Sequence, residues 1–197
     1  MYGSPRSDPE HPSAESTKIA ESLVLLEFVA DLYPDSGLLP KDPVERARVR
    51  SFINAVSTKL LPTAGALFAC GAATEIQELL PSTAQFAVGD HFTIADATLA
   101  SFLGCWELSL RNDVGKFAEG TGPRLHQELF RSEHFARLQK YYENISSRES
   151  FKNSFDSVRL HACWPRAQGL RLTIWPGILV GKVKDTVRST VNAKRLK

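Results

Sequence analysis

The segment Asp90-His91-Phe92-Thr93-Ile94-Ala95-Asp96, with the apolar run that follows it to Trp106, restricts the fold more than any other stretch. Thr93 and Asp96 stand three apart at the start of that run, which is the spacing of a capping box. The Thr93 side chain accepts from the backbone N–H of residue 96, and the Asp96 carboxylate reaches back to the N–H of Thr93. Beyond the cap, Ile94, Ala97, Thr98, Phe102, Leu103, Cys105 and Trp106 cover most of a helical circumference. A helix that is apolar nearly all round is buried on all sides. The pattern therefore predicts a central helix over 93–109, with Phe102 and Trp106 deep in the core. Phe92 is expected to fold over the first turn toward Ala97 as a hydrophobic staple.

Other helical periods surround this segment. Over 19–33, Leu25, Leu26, Val29 and Leu32 fall on one face, and Pro34 ends the period. Asp42-Pro43-Val44-Glu45 is a start signal: a capping acid, proline at the first helical position, and a first-turn acid. Val49, Phe52, Ile53, Val56 and Leu60 then form a stripe up to Pro62, while Arg46, Arg48 and Arg50 read as the solvated face. Residues 63–73 are small and lack a period, and a short helix is expected over 74–80. Pro123 opens a helix with Leu125, Leu129 and Phe130 inward, and the period continues from 132 to 145, with a last turn over 148–155.

Charge divides the chain. Residues 1–157 hold 15 Lys/Arg and 21 Asp/Glu, whereas residues 158–197 hold 9 Lys/Arg and the single acid Asp185. Within this basic end, 170–175 alternates as a strand would, and Trp175-Pro176-Gly177 signals a turn. Such a hairpin is marginal by itself, so poor order is expected there. Residues 1–18, rich in Pro and Ser, are expected to be disordered. No apolar run approaches a membrane span, and the start lacks a secretory apolar core. Cys70, Cys105 and Cys163 are widely spaced, and Cys70 and Cys105, among small and apolar residues, fit buried thiols in a reducing, cytoplasmic setting. The five histidines are scattered, and no Cys/His spacing suits a metal, so none is expected. The basic end holds only Trp164 and Trp175 as aromatics and no recognition motif, so no nucleic-acid partner is expected.

Several pieces carry a family resemblance. They are Ile19–Pro34 with its Glu21-Ser22 pair, Leu38-Leu39-Pro40, Asp42–Arg48, Phe86–Asp90, Phe92–Ala97, Asn112–Lys116 and Phe135–Tyr141. In order and spacing they resemble the cytosolic glutathione transferases, most of all the fungal, omega-like or Ure2-like members, from about residue 19 to about 157. The resemblance implies an all-α fold like the family's C-terminal helical bundle, followed by the basic tail. It divides the chain into a disordered segment 1–18, the remnant last helix of a thioredoxin-like domain at 19–34, a C-terminal helical domain at 42–157, and the tail 158–197. It also implies a chemistry, attack of the glutathione thiolate on a small electrophile, and a homodimer. Glu21 and Ser22 match the pair that holds the γ-glutamyl end of glutathione. The family's catalytic Ser, Tyr or Cys lies early in the thioredoxin-like domain, and no residue before Glu21 lies in that motif. No catalytic residue is therefore assigned, and a truncated chain of reduced or no activity is expected. The alternative is a non-catalytic helical module that binds protein partners.

Overall fold

The computed structural model describes residues 17, 19–60, 69–83, 85–115 and 117–155. The expected disordered start, Thr17 apart, and the basic tail with its hairpin lie outside the described residues. Within them the chain is helical, with no extended strand; Phe86 and Gly89 form an isolated bridge.

The central helix, α4, runs Ile94–Arg111, so its cap falls where the sequence places it. Around it stand α1 (Ser22–Leu32), α2 (Pro43–Leu60), α5 (Thr121–Arg131) and α6 (Ala136–Ser147), each packed against it. The helix α3 (Ala69–Leu79) leans on α2, α5 and α6, and the short α7 (Glu149–Ser154) closes against α6. The core is aliphatic: Val49 and Val56 of α2, Ile76 of α3, Ile94, Leu99 and Leu103 of α4, Leu129 of α5, and Leu138 and Ile145 of α6 are all fully buried.

Phe102 and Trp106 are not deep in this core. Both are half-buried and pack against its margin. An all-round apolar pattern makes a helix central without saying which stripe meets the closest neighbours. Here Ala95, Leu99 and Leu103 take that place. Small residues permit the approach: a β-carbon on Gly104 would lie 2.6 Å from the Phe155 ring and 3.2 Å from that of Phe151. Those two rings stack at 4.9 Å over this face of α4.

Other expectations shift in extent. The helix α3 begins at Ala69 rather than 74, because alanine is the best helix former and Ala72 and Ala73 are buried. The helical stretch expected over 132–145 is interrupted by a 3-10 turn at Glu133–Phe135 before α6 begins. The arginines of α2 do more than face solvent. Arg50 grips Glu27 of α1 through two bonds of 3.0 and 2.8 Å, and Arg46 stands 3.6 Å from Asp31. These pairs tie α1 to α2. The start of α2 is as read: Asp42 Oδ1 accepts from the N–H groups of Val44 and Glu45, each at 2.9 Å.

Candidate functional site

Thr93 and Asp96 make the predicted box. Asp96 Oδ2 accepts from the Thr93 N–H at 2.9 Å, and the Thr93 hydroxyl takes the first-turn N–H groups, that of Ala95 at 3.3 Å. The sequence did not reveal what the other carboxylate oxygen does. Asp96 Oδ1 accepts from the Ala87 N–H at 2.7 Å and from the Tyr141 hydroxyl at 3.0 Å. The Thr93 hydroxyl donates to Oδ2 at 3.1 Å. One fully buried carboxylate thus joins the loop before α4, the first turn of α4, and α6. Burial pushes its carboxyl above the usual range, against these four hydrogen bonds, which favour the charged form. Burial, with the nearby carboxylate, also raises the Tyr141 phenol far above its ordinary value, so it stays a donor. Thr93 and Asp96 are structural residues with no open face.

The same loop is held twice more by α6. Asn144 Nδ2 donates to the Gln85 carbonyl at 2.9 Å, and the Gln85 amide returns a bond to Asn144 Oδ1 at 3.1 Å. Arg148 lies over the rings of Phe86 and Phe92. Phe92, expected as a staple, meets Phe86 edge-on at 6.0 Å. Tyr141 and Asn144 stand on α6 and Arg148 is the residue that caps its C-terminal end, so the last turns of α6 and its cap supply all three contacts.

Glu21 and Ser22 lie elsewhere. Ser22 is the first residue of α1, and Glu21 is its N-cap, with φ 69° and no side-chain cap bond. A non-glycine residue in the left-handed region is uncommon, and sequence gives no sign of it here. The Glu21 carboxylate is exposed and Ser22 is half-buried. Amide groups at a helix start attract anions, and the helix dipole adds to the effect. The two predicted pairs are not brought together. The connector after α1 reaches α4, where the Ile94 N–H donates to the Leu38 carbonyl at 3.0 Å. Glu21 sits at the opposite end of α1, a helix roughly 16 Å long at about 1.5 Å per residue.

Two further polar groups have partners beyond the helical period that the sequence pattern carries, or on another helix. Asp113, itself at φ 54°, accepts from the N–H groups of Gly120 and Gly122 at 2.6 and 2.9 Å and so shapes the start of α5. Glu107 faces Arg111 at 3.2 Å and His126 at 3.5 Å, with His126 stacked on Phe130. Of the thiols, Cys105 is buried, as expected, and burial drives it far above the ordinary thiol range, but Cys70 is only half-buried. Among the described residues no group of three His, Cys, Asp or Glu side chains could hold a metal. Among the same residues no helix is long and apolar enough to cross a membrane.

No family model matches the chain. Solved structures do. Glutathione transferase Omega 1C from Trametes versicolor is 44% identical, with a TM-score of 0.78, over 86% of this chain and 74% of that one. Omega 2S from the same organism, solved with 2,4-dihydroxybenzophenone, is 38% identical with a TM-score of 0.73, over 81% and 73% of the two chains. A probable glutathione S-transferase of Nicotiana tabacum is 28% identical over 150 residues, and the match spans 62% of its length. The helical bundle, the box that starts its central helix, and identity at this level over most of a solved relative place the chain in the glutathione transferase family.

Proposed function

We propose that this chain takes part in the glutathione chemistry of its family, with Glu21 and Ser22 holding the γ-glutamyl end of the tripeptide. The substrate's α-carboxylate would accept from the first-turn N–H groups of α1 and the Ser22 hydroxyl. The Glu21 carboxylate would take its ammonium. The supporting observation is the Glu21 backbone, held at φ 69° at the head of α1. Such a conformation costs about 1–3 kcal/mol, and strain of this kind concentrates at ligand-binding positions. In this reading residues 19–34 belong to a thioredoxin-like half and residues 42–157 form the helical half.

Conjugation needs the thiol ionised. The sulfur then forms a bond to the electrophilic carbon as the leaving group departs. Ionisation requires a donor about 3 Å from sulfur. No residue of this sequence matches the family's thiol-activating motif, so we propose weak glutathione binding and low turnover for this chain by itself. The test pairs calorimetric binding of glutathione with turnover of a general aromatic electrophile, for the wild type and Ser22→Ala. Weak binding lost in Ser22→Ala, with little turnover, is the expected result. Strong turnover that collapses in Ser22→Ala would keep the binding pair and overturn the low activity. Binding indifferent to Ser22 would remove the pair.

A second reading, a protein-interaction module, has its own support. Val24 and Leu32, on one side of α1, are 53% and 38% exposed. Self-association abolished by lysine at both positions, measured by sedimentation, is what a homodimer through this face requires. Sedimentation unaffected by the double substitution would count against that homodimer.

A further inference from the structure

Arg148, which caps α6 beyond Tyr141 and Asn144, differs from the other arginines among the described residues. Arg46, Arg48, Arg50 and Arg111 each meet a carboxylate, and Arg137 donates to the Leu80 carbonyl at the end of α3. Arg124 and Arg131 meet none among the described residues, but both are exposed to water. Arg148 is half-buried, its Nε is buried, and that Nε finds no protein acceptor among the described residues. The guanidinium carbon stands 4.4 Å from the centre of the Phe92 ring and 5.4 Å from that of Phe86. Aromatic faces attract the cation and displace water from it, but they accept none of its in-plane hydrogen bonds strongly. A buried charged donor without an acceptor is unfavourable, and the planar fork of arginine matches an oxyanion.

The surroundings are fixed in advance. Phe86 and Phe92 flank a loop anchored by Asp96, Tyr141, Gln85 and Asn144, so the rings that wall the guanidinium are held in place. Glu143 and Glu149, near Arg148 in sequence, and Asp90, near Phe92, are exposed, where solvent and salt screen them. We propose that Arg148, walled by Phe86 and Phe92, binds a small oxyanion, either a carboxylate or a phosphate. The site is separate from Glu21 and Ser22 and independent of their role.

The experiment uses the full chain labelled with ¹⁵N-arginine, with the Arg148 Nε–Hε resonance assigned through its backbone. Inorganic phosphate and acetate are titrated separately, at ionic strength held constant with chloride. A saturating shift of the Arg148 resonance in at least one arm, with the exposed Arg124 unmoved, is expected. Saturation with phosphate alone names a phosphate site, and saturation with acetate alone names a carboxylate site. The same anion should raise the melting temperature saturably in the wild type and not in Arg148→Lys, which keeps the charge and loses the fork. Linear responses in both arms, or equal shifts at Arg124, overturn the proposal. Should Arg148→Lys fail to fold, the wild-type titration alone decides.

Discussion

Asp96 shows how far one residue's partners extend beyond its local motif. Losing a helix cap costs about 0.5–2 kcal/mol. Asp96→Ala also leaves the Ala87 N–H and the Tyr141 hydroxyl buried without their acceptor, and each such group costs roughly 1–3 kcal/mol. We expect Asp96→Ala to lose about 3–5 kcal/mol in denaturant titration, and Tyr141→Phe about 1–2 kcal/mol. A loss for Asp96→Ala no larger than a cap's would mean that the outer bonds contribute little. The pH dependence has a definite sign. Since burial raises the folded carboxyl above its unfolded value, the folded state holds the proton more tightly through that interval. Asp96's contribution is then fully present below the unfolded value and falls as pH climbs through the folded one. Against Asp96→Asn, the wild type should lose stability as pH rises from about 4 through that interval, because model aspartate titrates near there. Parallel pH profiles would show that the folded carboxyl is not raised. The Thr93–Asp96 half was legible because it spans three residues; the Tyr141 half spans 45, and no local pattern carries it.

At the scale of elements, helix existence was readable and helix surroundings were not. The periods of α2, α4, α5 and α6 are strong, and Asp42-Pro43 marks the start of α2 as Thr93 and Asp96 mark that of α4. Pattern alone placed Phe102 deep in the core, yet it is half-buried while Leu99 is fully buried. Leu99→Ala should therefore cost about 2–5 kcal/mol and Phe102→Ala distinctly less, since transfer and cavity terms both scale with burial. Equal losses would put Phe102 back in the interior. The ties between helices were hidden for a related reason: Glu27 and Arg50 are 23 residues apart, and each looks like an ordinary surface charge in its own helix. The strained Glu21 backbone was hidden too, because its φ is imposed by the junction and not by a glutamate's preference. The resemblance picked out the Glu21-Ser22 pair, but it gave no hint of that geometry.

For the molecule as a whole, the described core is drawn from Ala30 to Ile145 and includes every helix packed on α4. Deleting residues 158–197 should leave cooperative thermal unfolding of the helical body intact. A broad, non-cooperative melt would show that the tail belongs to the core. The bond between Asp96 and Tyr141 also has a consequence in time. Contacts three residues apart close quickly, whereas one spanning 45 must wait for the chain between to be arranged. During synthesis the box can form as soon as the first turns of α4 are free, while Oδ1 awaits a tyrosine not yet made. Tyr141 then acts as a late latch: it lengthens the life of the native state without hastening its arrival. Tyr141→Phe should steepen the loss of native signal in unfolding jumps while refolding rates stay unchanged. Slower refolding in that variant would place the latch in the folding nucleus.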